Sequence, residues 1–133
     1  MDEAELERKI TVLRACWAFF DGVAARVSPE MRKGPRSGGR DRDRIVSHTI
    51  RTESEDFAKS VGLRVPERAA LTPDGLRTYR SAYIEAIRAY QRSEVNRPMR
   101  SWTLQFLLGR SAFHTMDHAW EMGDKDLSGD AQA

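Results

Sequence analysis

Leu6, Ile10, Leu13, Trp17, Phe20, Ala24 and Val27 follow one another at alternating spacings of four and three residues. Only an α-helix brings such a series to one side. A stripe that long must be buried, and a lone helix has nothing to bury it against, so partner helices are required. The rest of the chain supplies them.

Ser28-Pro29 ends the first helix, and the glycines and proline of "EMRKGPRSGGR" forbid regular structure after it. Asp41 or Asp43 is placed to cap a second helix that runs through "RIVSHTIRTESEDFAKS" to Gly62. "TPDG" opens a third, with Thr72 as cap, Pro73 in the first turn and Asp74 against the helix dipole. That helix buries Leu76, Tyr79, Tyr83, Ile87 and Tyr90. After the break at "NRPMRS", Ser101 can cap a fourth helix that Gly123 stops. No strand-like alternation and no internal repeat is present. The expected fold is all-α: a single antiparallel four-helix bundle over residues 1–123, with helices near 3–27, 43–60, 73–94 and 101–122. Residues 124–133 read as a flexible C-terminal tail.

The chain's 133 residues suffice for one modest core. No apolar run approaches the length of a membrane span, and the acidic start "MDEAELERK" does not suit a signal peptide, so a cytoplasmic protein without a membrane partner is expected. The formal charge of +2 gives no general attraction to nucleic acid, and no recognition helix stands out. A single cysteine, Cys16, excludes an internal disulfide and lies among large apolar residues, as an inert buried thiol does.

"RSAFHTMDHAWEM" sets His114 and His118 one turn apart, within about 40° of each other on the helix. Glu121 falls on the same line. Leu107 and Thr103 share it, and the flanks are Leu104, Leu108 and Met122 on one side and Phe106, Phe113 and Trp120 on the other. The pair is therefore expected at the centre of the buried arc, with Gln105, Gly109, Ala112 and Met116 opposite. Two buried imidazoles need partners for their nitrogens, and a divalent metal is one good partner. His48, the only other histidine, lies mid-way along the second helix at the edge of its apolar arc. Three histidines from two helices can build a facial site that leaves a coordination position open. Three unrelated structural histidines are the other reading.

The ordered combination "GGRDRDRIVSHTIRTE", a Tyr-rich helix, then "W" and "FLLGRSAFHTMDHAWEM" resembles the DinB/YfiT-like superfamily, and short bacterial members ending in a similar HxxDHAWE segment most of all. The resemblance covers nearly the whole chain. It implies a four-helix bundle with a histidine triad around a divalent metal, here His48, His114 and His118, zinc being the expected ion and nickel the alternative. It also points to Glu53, five residues after His48, as a recurrent acidic neighbour, either structural or supporting a metal ligand. Gly109 and Phe113 stand where a second basic residue and often a tryptophan would be expected.

Two functions follow. One is a metal-dependent hydrolase or thiol transferase that activates a water, or a low-molecular-weight thiol such as bacillithiol or mycothiol, toward an unknown small-molecule substrate. Glu121 and Glu53 are then its candidate proton acceptors or ligand orienters. The other is a non-catalytic, metal-stabilised bundle that binds a small molecule or acts in a stress response as a homodimer. Residues 32–44 carry a local charge of +4 from six basic and two acidic side chains, either an anion-binding loop or a solvated one. Trp17, Trp102 and Trp120 fit core positions, and Asp117 can orient a ligand or pair with an arginine.

Overall fold

A computed structural model describes residues 1–33, 41–92 and 102–129. It contains α1 (Glu3–Arg26), α2 (Arg42–Arg51), α3 (Pro73–Gln91) and α4 (Leu104–Asp124), and no strand among the described residues. The caps follow local chemistry. Asp2 accepts from the Glu5 amide and Thr72 from the Gly75 amide, each supplying a partner to an otherwise unpaired first-turn donor. Asp41 occupies the cap position of α2, but its carboxylate is used elsewhere: it accepts from the Met31 amide at 3.1 Å and pairs with Lys33, tying the loop to the helix start.

At α4 the cap is Thr103, which accepts from the Phe106 amide at 3.0 Å. Ser101 and residues 93–94 lie outside the described residues. Gly123 does not stop α4, which runs on to Asp124.

The second helix differs from the regular one expected over 43–60. After Arg51 it opens into a π-helical turn at Thr52–Asp56 and then tightens to 3-10 geometry at Phe57–Val61. The buried positions explain the change. Thr49, Ile50, Glu53, Ser54, Phe57, Ala58 and Val61 recur every four residues, slower than the 3.6 of an α-helix. A regular helix would carry that row round to solvent, and a wider turn holds it inward. Gly62 ends the segment at φ 82°, a left-handed conformation that glycine tolerates without cost.

The helices do not alternate in direction. The Ser28 amide donates to Asp126, the Leu127 amide donates to Ser28 Oγ, and Met31 bridges Asp126, so the C-terminal ends of α1 and α4 meet. These two helices are parallel and pack together more extensively than any other pair. The Arg42 amide donates to Pro29, turning α2 back at the end of α1. Arg80 pairs with Asp21 and Arg88 with Glu7, so α3 also runs against α1. The order is up, down, down, up, and residues 62–72 form the return that a parallel α2–α3 pair requires.

The same contacts fasten the start of the stretch read as a free tail: Asp126, Leu127 and Ser128 are held, and residues 130–133 lie outside the described residues. The core is made by the expected stripes, Leu6, Ile10, Leu13, Trp17 and Phe20 meeting Ile45, Tyr83, Ile87, Leu107 and Met122. No helix among the described residues is long and apolar enough to cross a membrane.

Candidate metal centre

His48 stands on α2, and His114 and His118 stand on α4, one turn apart on its flank toward α2. Parallel α1 and antiparallel α2 hold α4 between them, which brings the three rings together. One ligand nitrogen from each histidine lies within 4.8 Å of the other two. The ring centroids are 5.5 Å apart for His48 and His114, 4.9 Å for His48 and His118, and 4.6 Å for the α4 pair. Small side-chain rotations close such a cluster around an ion, since tetrahedral Zn–N bonds of about 2.0–2.1 Å need the nitrogens roughly 3.3 Å apart.

The rings differ in environment. His114 is buried, His118 half-buried and His48 exposed, so the pair sits at the margin of the α4 core face and not at its centre. The outward face of α4 is centred on Phe113. Trp120, expected in the core, stands on that face, because the helix turns the Phe106–Phe113–Trp120 row away from α1 and α2.

Burial first, and then the neighbouring His118 and His48, push His114 down to about 4, so it is neutral near pH 7, the form that ligates metal. Its Nδ1 is buried with no hydrogen-bond partner. An orphaned buried nitrogen of this kind costs about 1–3 kcal/mol, and an ion in the cluster is the sort of partner that would relieve it. His118 is arranged differently. Its Nδ1 lies 2.7 Å from Glu121 Oε1, and Lys125 Nζ holds the other Glu121 oxygen at 3.0 Å. Burial opposes ionisation of Glu121, but the hydrogen bonds of His118 and Lys125 outweigh it and hold the carboxyl below its usual range. An ionised carboxylate can only accept, so Nδ1 carries the proton and Nε2 keeps its lone pair. The donor set fits a divalent ion: the three histidines can hold one.

Glu53 is not part of this cluster. It stands on the π-helical turn after α2, where its Oε1 accepts from Trp17 Nε1 at 3.1 Å and from Tyr79 OH at 2.8 Å. Burial drives the carboxyl up to about 7 against the opposing pull of Tyr79, Trp17, Arg80 and Ser111. Ser111 Oγ in turn lies 2.7 Å from Tyr83 OH. Glu53 is thus the hub of a buried polar network joining all four helices, with no histidine in it. That role went unread in the sequence, although a Trp and two Tyr on core faces announce buried N–H and O–H groups that need an acceptor.

Beside His48 an open groove of about 810 Å³ is lined by Arg44, Arg51, Arg68, Glu55 and Asp56, among others. Arg51 is committed to Glu55 and Glu67. In the basic segment, Lys33 pairs with Asp41 and Arg42 with Asp43, while residues 34–40 lie outside the described residues. Cys16 is half-buried and burial pushes its thiol up, as suits an inert side chain. Comparisons with family models, curated proteins and solved structures found no match.

Proposed function

We propose that the protein is a metal-dependent enzyme of the DinB/YfiT-like type, with His48, His114 and His118 as ligands. The observation that carries this reading is the convergence of all three histidines of the chain, one ligand nitrogen of each within 4.8 Å of the others. The ion is zinc, with nickel as the alternative, on the affinity of both for imidazole. When bound, such an ion supplies Lewis acidity that lowers the pKa of a water or a low-molecular-weight thiol, the chemistry of a hydrolase or thiol transferase.

The chain's own residues set the conditions. Glu121 fixes the tautomer and direction of His118, and burial keeps His114 uncharged. Being bound to His118 Nδ1 and Lys125, Glu121 serves as an orienter in preference to a free base. Glu53, locked to Trp17 and Tyr79, acts through the packing of α2 and not on substrate. The groove beside the exposed His48 gives a small molecule its approach and favours an enzyme over a sealed structural site. A cytoplasmic location belongs to the same reading.

Elemental analysis of the purified protein tests it. One equivalent of zinc or nickel is expected, falling below a tenth in His48→Ala, His114→Ala and His118→Ala variants that remain helical. Metal-free wild-type protein that takes up no added zinc would end the proposal. Turnover of a thiol with an electrophile, or of an ester or amide, separates the enzyme from a metal-stabilised bundle.

A further inference from the structure

Six large hydrophobic side chains stand exposed among the described residues, and three of them lie on α4: Phe106, Phe113 and Trp120. The α4 residues are 52%, 56% and 55% exposed and follow one another at seven-residue intervals, so they make one row drifting about 20° per step. Aromatic side chains of about 150–250 Å² at half exposure give the row roughly 300 Å² of apolar surface. A symmetric contact through the row alone would bury around 600 Å², so the polar flanks must add to it.

We infer that this face pairs α4 with the α4 of a second copy of the chain, antiparallel, about a two-fold axis at Phe113. The register follows from the sequence of the row. A two-fold axis at Phe113 sets Phe106 opposite Trp120 of the other copy, and Trp120 opposite its Phe106. Arg110 and Asp117 lie on one flank of the row, about 60° and 40° from Phe113. An antiparallel two-fold keeps that flank on the same side in both copies, so each Arg110 meets the Asp117 of the other within about one residue's rise. A parallel pair would send the two flanks to opposite sides and set each Arg110 against Gly109 and each Asp117 against Met116, both uncharged. Arg110 stands loosely over the Phe57 ring, 6.0 Å from its centroid, and neither it nor Asp117 makes an ion pair among the described residues. The charges are complementary only in the antiparallel arrangement. His114 and His118 lie about 100° and 140° round α4 from Phe113, so the aromatic row itself points away from the metal ligands, while Asp117 and Trp120 also line the pocket of His118 and Glu121.

Sedimentation equilibrium of the full chain, at concentrations from about 1 to 100 µM, is the test. Wild type is expected at twice the 15.2 kDa of one chain, and Phe113→Glu at once, its dimer weakened at least about thirtyfold with helix content unchanged. Arg110→Asp and Asp117→Arg should each weaken the dimer, and the double exchange should restore it, which a folding defect cannot do. For register, with Cys16→Ser as background, Phe113→Cys should crosslink under oxidation and Phe106→Cys alone should not. A wild-type monomer at 100 µM, a dimeric Phe113→Glu, or self-crosslinking of Phe106→Cys would each overturn the inference.

Discussion

His118 Nδ1 and Glu121 Oε1 are 2.7 Å apart, one turn of α4 separating the two residues. The bond commits one ring nitrogen, so the other is aimed by the helix itself. Glu121→Ala should therefore lower zinc affinity about tenfold to a hundredfold while leaving the metal-free melting temperature nearly unchanged. Glu121→Gln, which still accepts through its carbonyl, should recover part of the loss. Competition with a chromophoric chelator measures both. Equal affinities in wild type and Glu121→Ala would remove Glu121 from the site.

Metal binding should also appear as stability, because the unfolded chain has no preformed triad. At a free zinc concentration a hundredfold above Kd, the gain is about 2.7 kcal/mol, roughly 10 °C for a chain of this size. A chelator should lower the melting temperature by that amount without unfolding the bundle, whose apolar stripes close without metal. His114→Ala should abolish most of the difference. Coincident melting curves for metal-loaded and chelated wild type would show the site too weak for the proposed chemistry.

The helical stripes were legible because burial in α1 and α3 obeys a 3.6-residue period, and Thr72-Pro73 is a start signal that nothing competes with. The histidine pairing on α4 was equally plain from a spacing of four. What lay hidden depends on contacts between helices. Whether the outward face is centred on Phe113 or on Gly109 is a rotation of about 40°, which the apolar flanks of α4 leave undecided when both sides are aromatic or aliphatic. The directions of the helices turn on Ser28 and Asp126, 98 positions apart in sequence. The four-residue period of Thr49, Glu53, Phe57 and Val61 was visible, yet a polar "TESED" disguises a segment whose Glu and Ser are the buried members.

The donors to Glu53 should matter more than their size suggests. Tyr79→Phe removes one hydrogen bond from a fully enclosed carboxyl and leaves its oxygen underused, a loss of about 1–3 kcal/mol. With the donor gone, ionisation becomes harder still, so the loss should be larger at pH 8 than at pH 5. Urea midpoints at the two values check this. A penalty independent of pH would mean that Glu53 stays protonated throughout, or that water replaces the hydroxyl.

Glu53 and His114 should oppose each other in acid. The Glu53 carboxyl rises from 4.5 to about 7 on folding, so between those values the folded chain holds more protons and stability falls as pH rises. His114 drops from 6.5 to about 4, so over nearly the same interval the unfolded chain holds more protons and stability rises with pH. The Glu53 effect amounts to about 3 kcal/mol and the His114 effect to less, screened by solvent at its partly open ring, so in the metal-free protein the two oppose each other. Glu53→Gln, whose carbonyl still accepts from Trp17 and Tyr79, should expose the histidine: stability climbing from pH 4 to 6.5. His114→Leu should expose the carboxyl, with stability descending from pH 4.5 to 7, and should raise the metal-free midpoint at pH 5 by removing an unpaired buried nitrogen. Urea titrations in chelator across that range would show two slopes of opposite sign, with wild type between them. Parallel curves for all three proteins would mean that neither group changes its proton affinity on folding, and that both sites are wetter than their burial implies.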